Sequence, residues 1–207
     1  MFDSGRCLPM TSAGSAFLMS LRAYSSAVPV ISAETEIDAP LESVWQIMLA
    51  TDRYPLWNPF VIRAETPQPP RVGQRLALTA QWSTGRIVRS LELITLIEPP
   101  KTRDGVTTAR WLYIYQGALA RPGLMRGVRQ QSLRQEAGGP TRYATEQRLR
   151  GTLAPLAFPR LVQDGLERHA AALRRYAHSQ GSQPGSMPAL QDAPPADPLH
   201  RNRIGHH

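Results

Sequence analysis

Cysteine is nearly absent. Cys7 is the single one, so neither an intramolecular disulfide nor a thiolate metal site can form. Lysine is equally scarce: Lys101 is the only one, in the turn-like stretch from Glu98 through Pro99, Pro100 and Asp104 to Gly105, which excludes a buried Schiff-base lysine. No segment reaches the roughly 18 consecutive apolar residues that a membrane-spanning helix needs. The longest candidate, residues 13–27, is broken by serines and Arg22. Of the histidines, His178, His200, His206 and His207 lie at or beyond the end of the last predicted helix, which leaves His169 alone within the domain. A metal site is therefore not expected, and no cofactor is implied. No Ser-His-Asp arrangement, phosphate loop or dinucleotide fingerprint stands in the right structural context.

What the chain has in excess is arginine. Lys and Arg together number 24 against 16 acidic residues, a net charge of +8. The arginines are scattered and form no dense strip, so nucleic acid is not an expected partner. Contact with an anionic membrane surface is the remaining role for such charge. With 207 residues and 42% hydrophobic content, the chain supports one core, and a second domain would leave little for either. The predicted domain spans residues 28–178. Residues 1–27 form an N-terminal tail, read as disordered, with no acidic residue after Asp3 and with Arg6 and Arg22 among serines. A cytoplasmic location is expected, with organellar import through this tail as the alternative. Residues 179–207 are rich in Ser, Gly, Gln, Pro and Asp and are read as a disordered C-terminal tail.

Alternation over residues 28–37 predicts a half-buried strand, with Ile31, Ala33 and Ile37 on one face and Glu34 and Glu36 on the other. Asp38 is the predicted N-cap of a short amphipathic helix carrying Leu41, Val44, Trp45, Met48 and Leu49, with Pro40 in its first turn. A second brief helical turn follows around Tyr54, closed by Asn58-Pro59. Six antiparallel strands are then expected, at 60–65, 74–81, 87–97, 107–116, 128–136 and 142–150, separated by Gly and Pro turns that include Pro99-Pro100. After Pro155 the period becomes helical. Phe158, Leu161, Val162, Gly165, Leu166, His169, Leu173 and Tyr176 share one face of a long final helix.

Ile37-Asp38-Ala39-Pro40 through Trp45, and above all Tyr54-Pro55-Leu56-Trp57-Asn58-Pro59-Phe60, resemble segments of the START-like (SRPBCC) superfamily, in its polyketide cyclase/dehydrase-like branch. Gly123 to Gly127 and Gly138-Gly139 are weaker matches, and the resemblance covers about residues 30–177. It implies an α+β helix-grip fold, a curved antiparallel sheet of about seven strands around a long C-terminal helix. It also implies an internal pocket for a mostly apolar small molecule such as a lipid or polyketide. Some relatives use this pocket for cyclisation or dehydration.

Alternation groups Trp111, Tyr113 and Tyr115 on one strand face, Arg129, Gln131 and Leu133 on the next, and Tyr143, Thr145 and Gln147 on the last. The ligand-binding candidates are Trp111, Tyr113, Tyr115, Arg129, Tyr143, Gln147 and His169. Tyrosines there either hold a carbonyl oxygen or serve as wall residues. Arg129 either faces inward, favouring a carboxylate, phenolate or enolate, or sits at the mouth in solvent. His169, on the apolar stripe, is either a general base or polar anchor, or a satisfied core residue. It is the one catalytic candidate. Relatives often carry a histidine and an acid where this chain has Thr145 and Gln147, groups that do not exchange protons near neutral pH. That departure shifts the reading from enzyme toward binding. Trp57 and Asn58 are read as structural, Trp57 plugging the core and Asn58 tying its turn to the next strand.

Overall fold

The computed structural model describes residues 30–120, 124–154 and 158–181. Cys7, the N-terminal segment and residues 182–207 of the C-terminal segment lie outside them. The first strand β1 (Val30–Ile37) leads into helix α1 (Leu41–Leu49), a single 3-10 turn (Thr51–Arg53) and the short helix α2 (Tyr54–Trp57). Strands β2 (Val61–Glu65), β3 (Arg75–Gln81), β4 (Ile87–Arg103), β5 (Val106–Tyr115), β6 (Arg126–Glu136) and β7 (Thr141–Arg150) follow, and helix α3 (Pro159–Gly181) ends the described chain. All strand pairings are antiparallel, in the order β1-β7-β6-β5-β4-β3-β2. The sheet curls, α3 lies against β1 and β7, and α1 packs on β4, β5 and β6. This is the helix-grip arrangement.

The α1 helix lays Leu41, Val44, Trp45 and Met48 into the core, as their i, i+3, i+4, i+7 spacing requires. Its start differs from expectation. Pro40 occupies the N-cap and no side chain caps locally. The backbone N–H of Leu41 donates instead to Gln135 Oε1 on β6 at 3.0 Å, so a distant strand satisfies one of the helix's first donors. Asp38, the expected cap, donates its own backbone N–H to His178 Nε2 at 3.0 Å and so ties the end of α3 to the end of β1.

Strand β4 corrects a second expectation. Pro99-Pro100 does not break it, because the β4–β5 register shifts between Glu98 and Lys101 and the prolines sit in that irregularity, where no ladder donor is needed. The true reversal lies at Asp104-Gly105, with φ of 51° and 77°, which suits the twist of a two-residue hairpin. Lys101 is therefore an exposed strand residue.

In α3 the buried stripe is Gly165, Leu166, His169, Ala170, Ala172, Leu173 and Ala177. Phe158 precedes the helix and is 56% exposed, so the stripe begins later than predicted, and the helix runs three residues past His178. Gly165 is there because a Cβ would stand 2.5 Å from the Phe60 ring. Arg168 fastens the same stretch, donating to the carbonyl oxygens of Gln81 at 2.8 Å and Pro59 at 3.1 Å and pairing with Asp164 at 3.1 Å.

Candidate functional site

The cross-strand register aligns side chains in rungs on the concave face. Ala109, Leu133 and Tyr143 form one rung, Trp111, Gln131, Thr145 and Ala33 the next, and Tyr113, Arg129, Gln147 and Ile31 the third, with Ile94 opposite Tyr113. Beyond them stand Tyr115 and, paired with it on β4, Glu92. Burial falls along this series. Leu133, Tyr143, Trp111 and Gln131 are fully buried, Arg129 is 5% exposed, and Gln147, Tyr115 and Glu92 are half-buried. The α1 side closes one end and the Glu92 side is the half-open end.

The seven predicted residues therefore do not line one open pocket. Trp111, Tyr113, Arg129, Tyr143 and His169 are buried, whereas Tyr115 and Gln147 reach the rim. The interior is also more polar than the expected apolar pocket. Tyr143 donates its hydroxyl to Gln131 Oε1 at 2.7 Å, and Gln131 Nε2 donates to the Tyr113 hydroxyl at 3.4 Å. A groove of about 760 Å³, lined by residues such as Asp52, Pro55, Ala64 and Gln68, contains none of the seven.

Arg129 lies inside, not at the mouth. Among the described arginines it is the buried one; Arg168 is half-buried and the rest are exposed. Two of those form cross-strand ion pairs on the outer face, Arg110 with Glu98 and Arg142 with Glu36, exposed pairs that add little stability. Arg129 Nε donates to Thr145 Oγ1 at 3.2 Å, and its Cζ stands 5.8 Å from the Phe60 ring centre. Its Nη2 has no partner among the described atoms, and none of the described ion pairs involves it.

His169 is positioned by Asn58. The Asn58 Oδ1 accepts the backbone N–H groups of Phe60 at 3.0 Å and Val61 at 2.9 Å. Its Nδ2 must then be the group 2.8 Å from His169 Nδ1. An amide nitrogen can only donate, so Nδ1 accepts and the ring proton of neutral His169 sits on Nε2. Burial, and secondarily the Arg129 charge, push the His169 pKa well below its usual value, so the ring is neutral at pH 7. Its Nε2–H has no partner among the described residues. His169 therefore presents a donor to the interior, not the lone pair of a base. Tyr54, Trp57 and Tyr143 surround the ring. Asn58 ties its turn to β2 as expected, but Trp57 is only half-buried, stacked on Tyr176; the buried aromatic of that turn is Tyr54.

Glu92 is the residue that sequence reasoning missed. By register it is the carboxylate on the concave face among the described residues, beside Ser90 and opposite Tyr115. Burial raises its pKa to about 7, against smaller opposing effects of Ser90 and Arg129. Alternation with Leu91 and Leu93 held the signal, but the charged residue occupies the inner face and the leucines the outer one.

No protein-family model and no curated protein matches the chain. Solved structures do. A START superfamily protein from Mycobacterium smegmatis aligns with a TM-score of 0.54 at 16% identity, over 73% of this chain and 98% of that one. The chain has the START-like fold. A Thalictrum norcoclaurine synthase variant, in complex with a transition-state analogue, aligns at TM-score 0.50 and 16% identity, over 75% and 97%. The di-domain aromatase/cyclase StfQ of the steffimycin biosynthetic pathway aligns at 0.53 and 9%, over 73% of this chain but 52% of that one. The START-like frame sets the order of elements, and the rungs above are this chain's own filling of it.

Proposed function

We propose that this START-like protein binds a mostly apolar small molecule that enters its concave face at the half-open end, past Tyr115 and Gln147 at the rim, and reaches Tyr113 and Arg129 and, deeper, Trp111, Tyr143 and His169. The observation that carries the reading is the trio of buried donors without partners, Trp111 Nε1, Arg129 Nη2 and His169 Nε2. Proteins rarely leave such groups unpaired, so three in one interior argue for a guest that accepts hydrogen bonds. The aromatic walls supply apolar contact area, the main source of affinity in such sites. The norcoclaurine synthase neighbour, recorded with a transition-state analogue, supports a START-like frame as a host for a small molecule.

The test is titration of the full chain with a neutral fluorescent apolar probe, N-phenyl-1-naphthylamine. Saturable binding is expected, and Gly127→Val is expected to abolish it. A Cβ at Gly127 already stands 3.2 Å from Gln147 Nε2 and 3.3 Å from Tyr115 Cβ, so a branched side chain fills the rim. No saturable binding by a folded wild-type chain would refute the reading.

A second reading, a cyclase- or dehydratase-type enzyme, is favoured by Glu92, a half-buried carboxyl whose pKa of about 7 suits proton exchange at neutral pH. In that reading Glu92 moves the proton, the Arg129 charge stabilises an enolate, and His169 donates through Nε2. Turnover of a polyketide-like substrate that Glu92→Gln abolishes would favour it over pure binding.

A further inference from the structure

We propose that the bound molecule is an apolar carboxylic acid, seated with its carboxylate inward on Arg129 and its apolar body toward the half-open end. This rests on the binding reading above and narrows it to a ligand class. Three observations converge. Five buried polar atoms among the described residues lack a partner; Thr66 Oγ1 and Trp57 Nε1 border other grooves, and the three that belong to this interior, Trp111 Nε1, Arg129 Nη2 and His169 Nε2, are all donors. A neutral ligand with one carbonyl oxygen could serve at most two of the three donors, whereas a carboxylate offers two oxygens with about four acceptor positions.

Charge points the same way. Arg129 remains protonated at any accessible pH, yet its immediate described surroundings are Thr145 Oγ1, the Phe60 ring and the tyrosines Tyr113, Tyr143 and Tyr54, none of them anionic at neutral pH. The one acid on its face among the described residues, Glu92, acts on it only through space and, with a pKa of about 7, is only partly ionised there. A cation in that setting is compensated well only by a counter-ion brought to it.

Placement gives the orientation. Glu92, the acid on the concave wall, stands at the rim opposite Tyr115, while Arg129 is one rung deeper, opposite Tyr113. The two attract through space but form no described ion pair. The groups facing Glu92 from neighbouring strands are Tyr115 and Tyr113 on β5 and Arg129 on β6, with His169 of α3 further in. An acidic ligand and ionised Glu92 therefore compete for one cation. The ligand's charge is favoured deep and disfavoured at the rim.

The experiment displaces N-phenyl-1-naphthylamine from the full chain with two matched pairs, hexadecanoic acid against hexadecanol and 2-naphthoic acid against 2-naphthalenemethanol. In the wild type the acid of the pair that fits is expected to bind about tenfold or more tighter than its alcohol, the scale of one charged hydrogen bond. Arg129→Gln should bring the pair to within about threefold by weakening the acid far more than the alcohol, and Arg129→Lys, which keeps the charge, should retain a preference. Glu92→Gln should strengthen the acid and leave the alcohol unchanged. Equal affinity of acid and alcohol in the wild type, or an acid preference that survives Arg129→Gln, overturns the assignment and leaves small-molecule binding standing. Failure of the probe and all four compounds to bind the wild type overturns both.

Discussion

The two ends of the concave face are built from the same strands and behave as different materials. At the α1 end, Leu133 and Ala109 join Leu41, Val44, Trp45 and Met48 in a fully buried core. At the other end, Glu92, Tyr115 and Gln147 are half-buried, Tyr115 and Gln147 close over Gly127 so tightly that a Cβ there would be crowded, and Arg129 lies one rung below with a free donor. One end is finished by its own side chains. The other holds a guanidinium nitrogen that nothing described in the protein satisfies, the division that the proposed binding at this end requires.

The strongest way to break this contrast is to truncate one residue at each end. Leu133→Ala is expected to cost about 2–5 kcal/mol in denaturant unfolding, the range for a buried leucine. Tyr115→Ala should cost within about 1 kcal/mol, as for a partly exposed side chain. Equal losses would mean that the rim is core. The next effect in size has the opposite sign: Arg129→Met should stabilise the ligand-free protein by about 1–3 kcal/mol, because it removes a buried charge without a counter-ion. A fall in melting temperature would show that the guanidinium is paid for within the fold.

A smaller effect concerns Glu92. Its folded pKa of about 7 lies above the ordinary 4.5, so the native state binds more protons than the unfolded one in that window. Stability from this group is full below pH 4.5 and is lost as pH rises through about 7. The loss is roughly 1–2 kcal/mol once screening at the half-exposed rim is allowed for. His169, with its lowered pKa, contributes the other way: stability present above about 6.5 and lost as pH falls below it. Unfolding curves of wild type and Glu92→Gln from pH 4.5 to 7.5 cancel the histidine contribution, and their difference should drift in favour of the variant as pH rises. A constant difference would place Glu92 in solvent. The smallest expected change is Tyr115→Phe, below about 0.5 kcal/mol.

Much of this architecture was legible in local patterns. The apolar spacing of α1, the Tyr-Pro-x-Trp-Asn-Pro-Phe segment and the long final helix fix the order of elements. Alternation on β5, β6 and β7 put Trp111, Tyr113, Arg129, Gln131, Tyr143 and Thr145 on one face, and all six are buried. The failures share a cause, which is that long-range contacts outvote local chemistry. Gln135 displaces Asp38 as the partner of the α1 start, and a register shift absorbs Pro99-Pro100. Glu92 escaped notice because charge on a strand is normally read as outward, and a register irregularity between Ile94 and Leu96 changes the face assignment farther along β4. The donor character of His169 depends on a residue 111 positions away, which no periodicity encodes.

The Asn58 amide makes the polarity of the interior a single-atom matter. Asn58→Asp would leave an oxygen for the Phe60 and Val61 amides but replace the donor at His169 Nδ1 with an acceptor. The imidazole proton would then move to Nδ1, and Nε2 would turn a lone pair inward, an Asp–His dyad in place of an Asn–His clamp. Nitrogen-15 shifts of the ring would report the exchange directly. A nitrogen-for-oxygen swap at one turn thus separates the proposed host for acids from a scaffold with a built-in base, a short evolutionary distance between holding a molecule and acting on it.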